Sequence, residues 1–175
     1  DEDHLEQLLI AFDKERFQLH LHTIGDKAVR VALDGIEAAQ KANGVWPALH
    51  QLAHIQSIHP ADIPRFRELG AVANWQPYWA CPEEANKDIA IPMLGPERSR
   101  YMYAVKSVID TGAPYAISSD WFVTTPNPFA IMQVAVTRQI PGDKAGGEIF
   151  TPEERIDVET VVRGYTTNAA HGAWR

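Results

Sequence analysis

From Phe17 to His22 apolar and polar residues alternate: Phe17, Leu19 and Leu21 against Gln18, His20 and His22. A period of two builds a strand with one apolar face. Thr23-Ile24-Gly25-Asp26 breaks the alternation, and Asp26 is placed to cap a helix. From Lys27 to about Ala42, Ala28, Val29, Ala32, Leu33, Ile36 and Ala39 recur on one helical face, and Asn43-Gly44 ends the run. A strand that turns directly into a long amphipathic helix points to βα units and a parallel sheet. His22 then stands at the carboxyl end of a strand, where barrels of such units build their sites. Side chains two apart on a strand share a face, so His20 accompanies His22. Taken alone, either imidazole is as well read as an ordinary polar residue on a strand.

The rest of the chain repeats the alternation of strand and helix. Leu5, Leu8, Leu9 and Phe12 lie at helical spacing over residues 2–15, ahead of the strand at 16–22. Residues 48–54 are a second strand. Pro60 suits the first position of a helix whose Ile63, Phe66 and Leu69 share one face up to Gly70. Residues 71–75 are a third strand. Residues 78–99, rich in Pro and charge, form a long loop with short helical pieces, of the kind that shapes a pocket. A helix is expected over 101–110 and a fourth strand over 115–120. Asn127-Pro128 starts a helix carrying Phe129, Ile131, Met132, Ala135 and Val136. Residues 140–150 form a loop. Thr151-Pro152-Glu153-Glu154 has the pattern of a capping box, and predicts a helix running to about Tyr165.

Composition narrows the functions open to such a chain. It carries 16 basic and 23 acidic residues, a formal net charge of −7, which disfavours nucleic acid and anionic membrane as partners. No apolar run is long enough to span a bilayer and no signal peptide is recognisable. A cytoplasmic setting is the default expectation. Cys81 is the only cysteine, so neither an internal disulfide nor a cysteine zinc knuckle is available. With no base placed beside it by the sequence, Cys81 is read as a bystander. Both ends look cut rather than capped. At 175 residues the chain fits one domain or part of a larger protein, and the second is expected.

His22, His54 and Asp120 each end an expected strand. His22 and His54 are 32 positions apart, and His54 and Asp120 are 66 apart, twice 33. A (β/α)₈ barrel averages about 31 residues per unit. That spacing puts the two imidazoles on neighbouring strands and the carboxylate two units further on, all at one rim. Two neutral imidazoles and a carboxylate suit Zn²⁺ or a similar divalent ion. Such an ion acidifies water, and a carboxylate beside that water can move its proton. Of the seven histidines, His4, His50, His59 and His171 are assigned to surface or core. His50 is the least separable, lying on the strand of His54 at an even offset. Trp75, Trp79 and Trp121 fall near strand ends and either line an apolar pocket or simply pack.

The words around these residues carry more. His-Thr-Ile-Gly-Asp-Lys-Ala-Val at 22–29, Leu-Ala-His-Ile-Gln at 52–56, Asn-Trp-Gln-Pro at 74–77, Ser-Ser-Asp-Trp-Phe-Val at 118–123 with Asn-Pro at 127–128, and Tyr-Thr-Thr-Asn-Ala-Ala at 165–170 occur in this order. Together they resemble the amidohydrolase superfamily over nearly the whole chain, closest to the subgroup that includes N-substituted formamide deformylase. The resemblance implies an α/β fold of the (β/α)₈ TIM-barrel type binding one or two divalent metals, with zinc the expected ion. It implies metal ligands at His22 and His54, ending the fifth and sixth strands. It implies at Asp120, ending the eighth, a residue that binds metal, activates water and shuttles its proton. Gln76 and Trp121 match positions near the substrate, and His20 joins them with less support.

The family also uses a His-x-His pair on its first strand and a bridging ligand on its fourth, and a small β-domain follows its barrel. None of these is in the chain. Only strands five to eight are therefore expected, a half-barrel spanning residues 1–175. The implied activity is metal-dependent hydrolysis of non-peptide carbon–nitrogen bonds in a small molecule. Ester or lactone hydrolysis on the same site, or a barrel fragment without catalysis, stand as alternatives. The strands at 17–22 and 115–120 would present open edges, so the chain is expected to be held with the missing half or to associate with itself.

Overall fold

A computed structural model describes residues 1–142 and 146–175. Four short strands, β1 (His20–Thr23), β2 (Gln51–His54), β3 (Val72–Trp75) and β4 (Tyr115–Ile117), form one parallel sheet in the order β1-β2-β3-β4. The register sets His22 opposite Ala53, Ala53 opposite Asn74 and Asn74 opposite Ala116. Leu52, Ala73, Trp75 and Ile117 belong to the face that enters the apolar core. The other face carries His20, His22, Gln51 and Asn74. An α/β fold with one apolar and one polar sheet face is the result.

Helices cover the apolar face. α1 (Glu2–Lys14) lies against α2 (Asp26–Asn43), whose Val29, Leu33 and Ile36 are fully buried. After β2 come a 3₁₀ turn at Pro60–Asp62 and the short α3 (Arg65–Leu69). The segment 78–99 contains a wide helical turn at Ala85–Ala90 and α4 (Ile91–Ser99), kinked at Gly95. α5 (Val105–Asp110) precedes β4, and α6 (Pro128–Thr137), α7 (Val158–Tyr165) and α8 (Thr167–Gly172) follow it. α7 sits close on β4 because Gly164 has no side chain: a β-carbon there would lie 2.8 Å from Ile117 Cγ1. The Gly172 carbonyl at the end of α8 accepts from Gln18 Nε2 (2.8 Å) and Gln51 Nε2 (3.0 Å), closing the amino-terminal ends of the strands.

Several boundaries depart from expectation for identifiable reasons. β1 begins at His20 rather than Arg16, because Arg16 turns at φ 61° to leave α1. The helix expected from Pro60 to Gly70 is split where Pro64 withholds an amide. The helix expected from Tyr101 begins at Val105, because Met102 pairs with Ser57 and the Tyr103 amide donates to Gln56 O at 2.8 Å. Thr151 caps nothing. Its φ is 40°, Pro152–Glu154 make one 3₁₀ turn, and the Glu154 carboxylate accepts instead from the Ser107 amide (2.9 Å) and hydroxyl. The following helix starts later, capped by Asp157 Oδ1 on the Thr160 amide (2.7 Å). Gly25 rather than Asp26 is the cap position of α2. Of the loop expected at 140–150, residues 143–145 lie outside the described residues.

His50 points away from the polar face. Its Nδ1 accepts from the Leu19 amide (3.0 Å), so its proton is on Nε2, which donates to Asp13 Oδ1 (2.9 Å). Asp13 also accepts from Asn43 Nδ2 (2.8 Å) and Trp46 Nε1 (2.7 Å), and this buried cluster ties α1 and α2 to the starts of β1 and β2. Burial opposes the Asp13 charge, but the three donors outweigh it and hold the carboxyl below its ordinary 3.8. Burial lowers the His50 imidazole below its ordinary 6.5, against the pull of Asp13. Both folded values lie below the unfolded ones, so both groups bind more protons when unfolded and stability rises with pH. The His50 contribution is complete above 6.5 and is lost as pH falls from there. The Asp13 contribution is complete above 3.8 and is lost below it. Urea midpoints measured from pH 8 to pH 3 should fall in both windows. His50→Gln should reduce the upper component, which His20 and His54 share because burial lowers them too, and an unchanged slope around pH 6 in that variant would contradict the assignment.

Candidate functional site

A cavity of about 490 Å³ opens at the carboxyl ends of the strands. His22, Ile24, His54, Gln56, Trp79, Glu83, Tyr103, Asp120 and Val123 are among its lining residues. The His22 and His54 rings meet edge to face, centroids 4.5 Å apart. Two residues that bring the site together leave their strands in a left-handed backbone turn, His54 at φ 71° and Asp120 at φ 62°. A residue with a side chain seldom adopts that conformation, and it is sustained only where the surroundings enforce it. At β2 the turn sends the imidazole toward His22. Three residues past the end of β4 the turn carries Asp120 into the cavity.

The surrounding groups fix these side chains. Trp79 Nε1 donates to Asp120 Oδ2 at 3.1 Å. Gln76 Oε1 accepts from the His54 amide at 2.8 Å. Burial lowers the basicity of His54; Asp120 opposes that shift, while His22 and His20 add to it. Burial also lowers His20. Neutral imidazole is the form that binds metals. Burial raises the Glu83 carboxyl and the Tyr103 phenol. The Tyr103 carbonyl accepts from the buried Arg138 Nη2 at 2.8 Å, which anchors this wall of the cavity.

His22, His54 and Asp120 therefore share one cavity, as their spacing implied. His20 lies on the same face, exposed and nearer the strand start. Gln76 does not line the cavity: it is 4% exposed, with both ends of its amide bonded inside the protein. Trp121 is 65% exposed and stands outside the lining, where Val123 takes its place. Glu83, Gln56 and Tyr103 were not anticipated. Glu83 belongs to the segment 78–99 expected to shape a pocket, but nothing in its local pattern marks it, and Tyr103 arrives through the Gln56 backbone contact. Among the described residues, no group of three or more His, Cys, Asp and Glu side chains is arranged to hold a metal ion.

Residues 1–171 match the amidohydrolase family. The chain belongs to that family. It is 31% identical over 175 residues to Protein LONG AFTER FAR-RED 3 of Arabidopsis thaliana, covering 99% of this chain and 29% of that protein. It is 27% identical over 172 residues to N-substituted formamide deformylase of Arthrobacter pascens, covering 96% of this chain and 30% of that one. The fold matches an uncharacterized metal-dependent hydrolase from Pyrococcus horikoshii OT3 with a TM-score of 0.80 at 20% identity, over 99% of this chain and 33% of the other. The chain thus spans about a third of the length of these relatives.

The cavity wall at 78–99 hangs on Asn86, which is fully buried. Its Nδ2 donates to Trp79 O (2.8 Å) and Cys81 O (2.9 Å), and its Oδ1 accepts from Gln56 Nε2 (3.3 Å). Asn86→Leu leaves the Trp79 carbonyl and Gln56 Nε2 without this partner, while Cys81 O keeps the Glu83 amide (2.8 Å), and should cost about 1–3 kcal/mol. Chemical denaturation measures the loss. Limited proteolysis should show cleavage moving into 78–99, and an unchanged digestion pattern would mean the wall is held otherwise.

Proposed function

We propose that this chain forms strands five to eight of a (β/α)₈ barrel, and that the barrel is a metal-dependent hydrolase of non-peptide carbon–nitrogen bonds in small molecules. The observation that carries this reading is the contact of the His22 and His54 imidazoles in a cavity shared with Asp120. Membership of the amidohydrolase family supports it. So does the name of the deformylase relative, a protein that acts on N-substituted formamides. The first half of the barrel, carried elsewhere, would supply the remaining ligands.

His22 and His54 would hold the ion, proposed to be zinc, through neutral ring nitrogens. Burial suits this, since it lowers the basicity of His54 and so favours the neutral ring. When bound, a divalent ion acidifies water and polarises a carbonyl. Asp120 takes the proton of the attacking water and passes it to the leaving nitrogen. Trp79 fixes Oδ2 of that carboxylate, which leaves Oδ1 to handle the proton. Trp79, Ile24 and Val123 provide an apolar side to the cavity, against which the substituent of a neutral amide can pack. Among the described residues no helix is long and apolar enough to cross a membrane.

Metal content and Co²⁺ titration of the intact enzyme, with both halves of the barrel present, test the ligand assignment. His22→Ala and His54→Ala should each reduce bound metal to a trace, and acid should release it from the wild type, because ligation needs deprotonated nitrogen. A wild type that takes up no metal would favour a non-catalytic barrel and remove this reading.

Asp120→Asn in the intact enzyme should lower kcat about 10²–10⁴-fold on an amide substrate. Metal content measured beside the rate separates proton transfer from metal loss. A fully metallated Asp120→Asn enzyme with the wild-type kcat would take Asp120 out of the mechanism.

A further inference from the structure

The backbone at His54 needs something to hold it. The β2–β3 register ends with Ala53 opposite Asn74, one residue short of His54. Amides of alternate residues on β2 face β1: Gln51 N donates to Leu19 O and Ile55 N to Thr23 O, each at 2.8 Å. The His54 amide therefore faces the other way, toward β3, and the acceptor it meets at 2.8 Å is a side chain, Gln76 Oε1.

The opposite end of that side chain is equally committed. Gln76 Nε2 donates to Asn74 Oδ1 (3.0 Å) and to Ser118 Oγ (2.7 Å), and Ser118 Oγ donates to Asn74 Oδ1 (3.0 Å). Asn74 Nδ2 in turn donates to Gln51 Oε1 (2.7 Å). Ser118 is two residues before Asp120. The amide of Gln76 thus bridges from the end of β2, which carries His54, to the end of β4, which leads to Asp120, passing over β3. It is 4% exposed and reaches no part of the cavity.

We propose that Gln76 is a positioning residue, a strut that holds the left-handed turn at His54 and keeps its imidazole against His22 and in register with Asp120. The role rests on the proposed ligand function of the two histidines, but the strut itself is a matter of backbone geometry. A methylene chain of the same length would fill the space and bind none of these partners. A carboxylic acid, the form burial favours, would keep one oxygen for the His54 amide and an O–H for Asn74 Oδ1 or Ser118 Oγ.

The test follows the His22–His54 contact by NMR in histidine-labelled, metal-free protein, and Co²⁺ affinity in parallel. Rings with centroids 4.5 Å apart give a cross-peak in the wild type. Gln76→Met should lose that cross-peak, and its Co²⁺ affinity should fall about 10–100-fold, the range seen when a residue orienting a metal ligand is removed. Gln76→Glu should retain the cross-peak, a rescue that a purely space-filling role would grant to Met instead. A folded Gln76→Met with the wild-type cross-peak and wild-type Co²⁺ affinity overturns the proposal. If Gln76→Met does not fold, Ser118→Ala decides. It takes away one of two acceptors of the Gln76 amide, and exchange of the His54 amide should quicken about fivefold, one net hydrogen bond; unchanged exchange overturns the proposal. A wild type that binds no Co²⁺ counts against the metal reading, and the cross-peak then decides the strut by itself.

Discussion

The structure depends on satisfying a row of buried polar side chains across a parallel sheet. Parallel strands are usually apolar on both faces. Here one face carries Gln51, Asn74 and Gln76 with little or no access to water. An unpaired buried amide costs about 1–3 kcal/mol, so these groups are tolerable only as a closed set. They are closed: Gly172 O, Gln51, Asn74, Gln76 and Ser118 bond in sequence across β2, β3 and β4, ending on the His54 amide. Because the partners are spread over β2, the end of β3 and the segment after β4, the set also fixes the strands' relative height. The height of the strand ends is what brings two imidazoles into contact.

The two faces divide the work. On the helix side, Leu52, Ala73, Trp75 and Ile117 supply apolar burial, with α2 and α7 packed close. The Asp13–His50 cluster adds a polar pin at the amino-terminal ends of β1 and β2. Stabilising interactions therefore gather under the sheet and at its lower end, while the cavity occupies the upper end. This is the arrangement in which loops vary without undoing the scaffold.

Much of this was legible in the sequence, for physical reasons. The alternation ending at His22 and the helical period after Lys27 reflect burial directly, so β1 and α2 were readable within a few residues. The step from His22 to His54 was readable as one βα unit; from His54 to Asp120 only the sum matched two units, because β3 ends early at Trp75 and the long segment 78–99 makes up the difference. What escaped was decided by partners distant in sequence. Thr151-Pro152-Glu153-Glu154 has the pattern of a cap, but Ser107 claims the Glu154 carboxylate. Gln76 matched a position near the substrate, yet three interior partners hold it behind the site. Glu83 and Tyr103 enter the cavity only because a loop and a backbone bond bring them there. No local periodicity encodes that.

The left-handed turns at His54 and Asp120 set stability against function at the same two positions. Glycine adopts that conformation without the penalty a side chain meets. Replacement by glycine would relax the backbone and erase the imidazole or the carboxylate. A population of variants selected only for thermal resistance would thus be drawn toward glycine or asparagine at 54 and 120. His and Asp at these positions carry a backbone cost that glycine would avoid, in exchange for an imidazole and a carboxylate in the cavity.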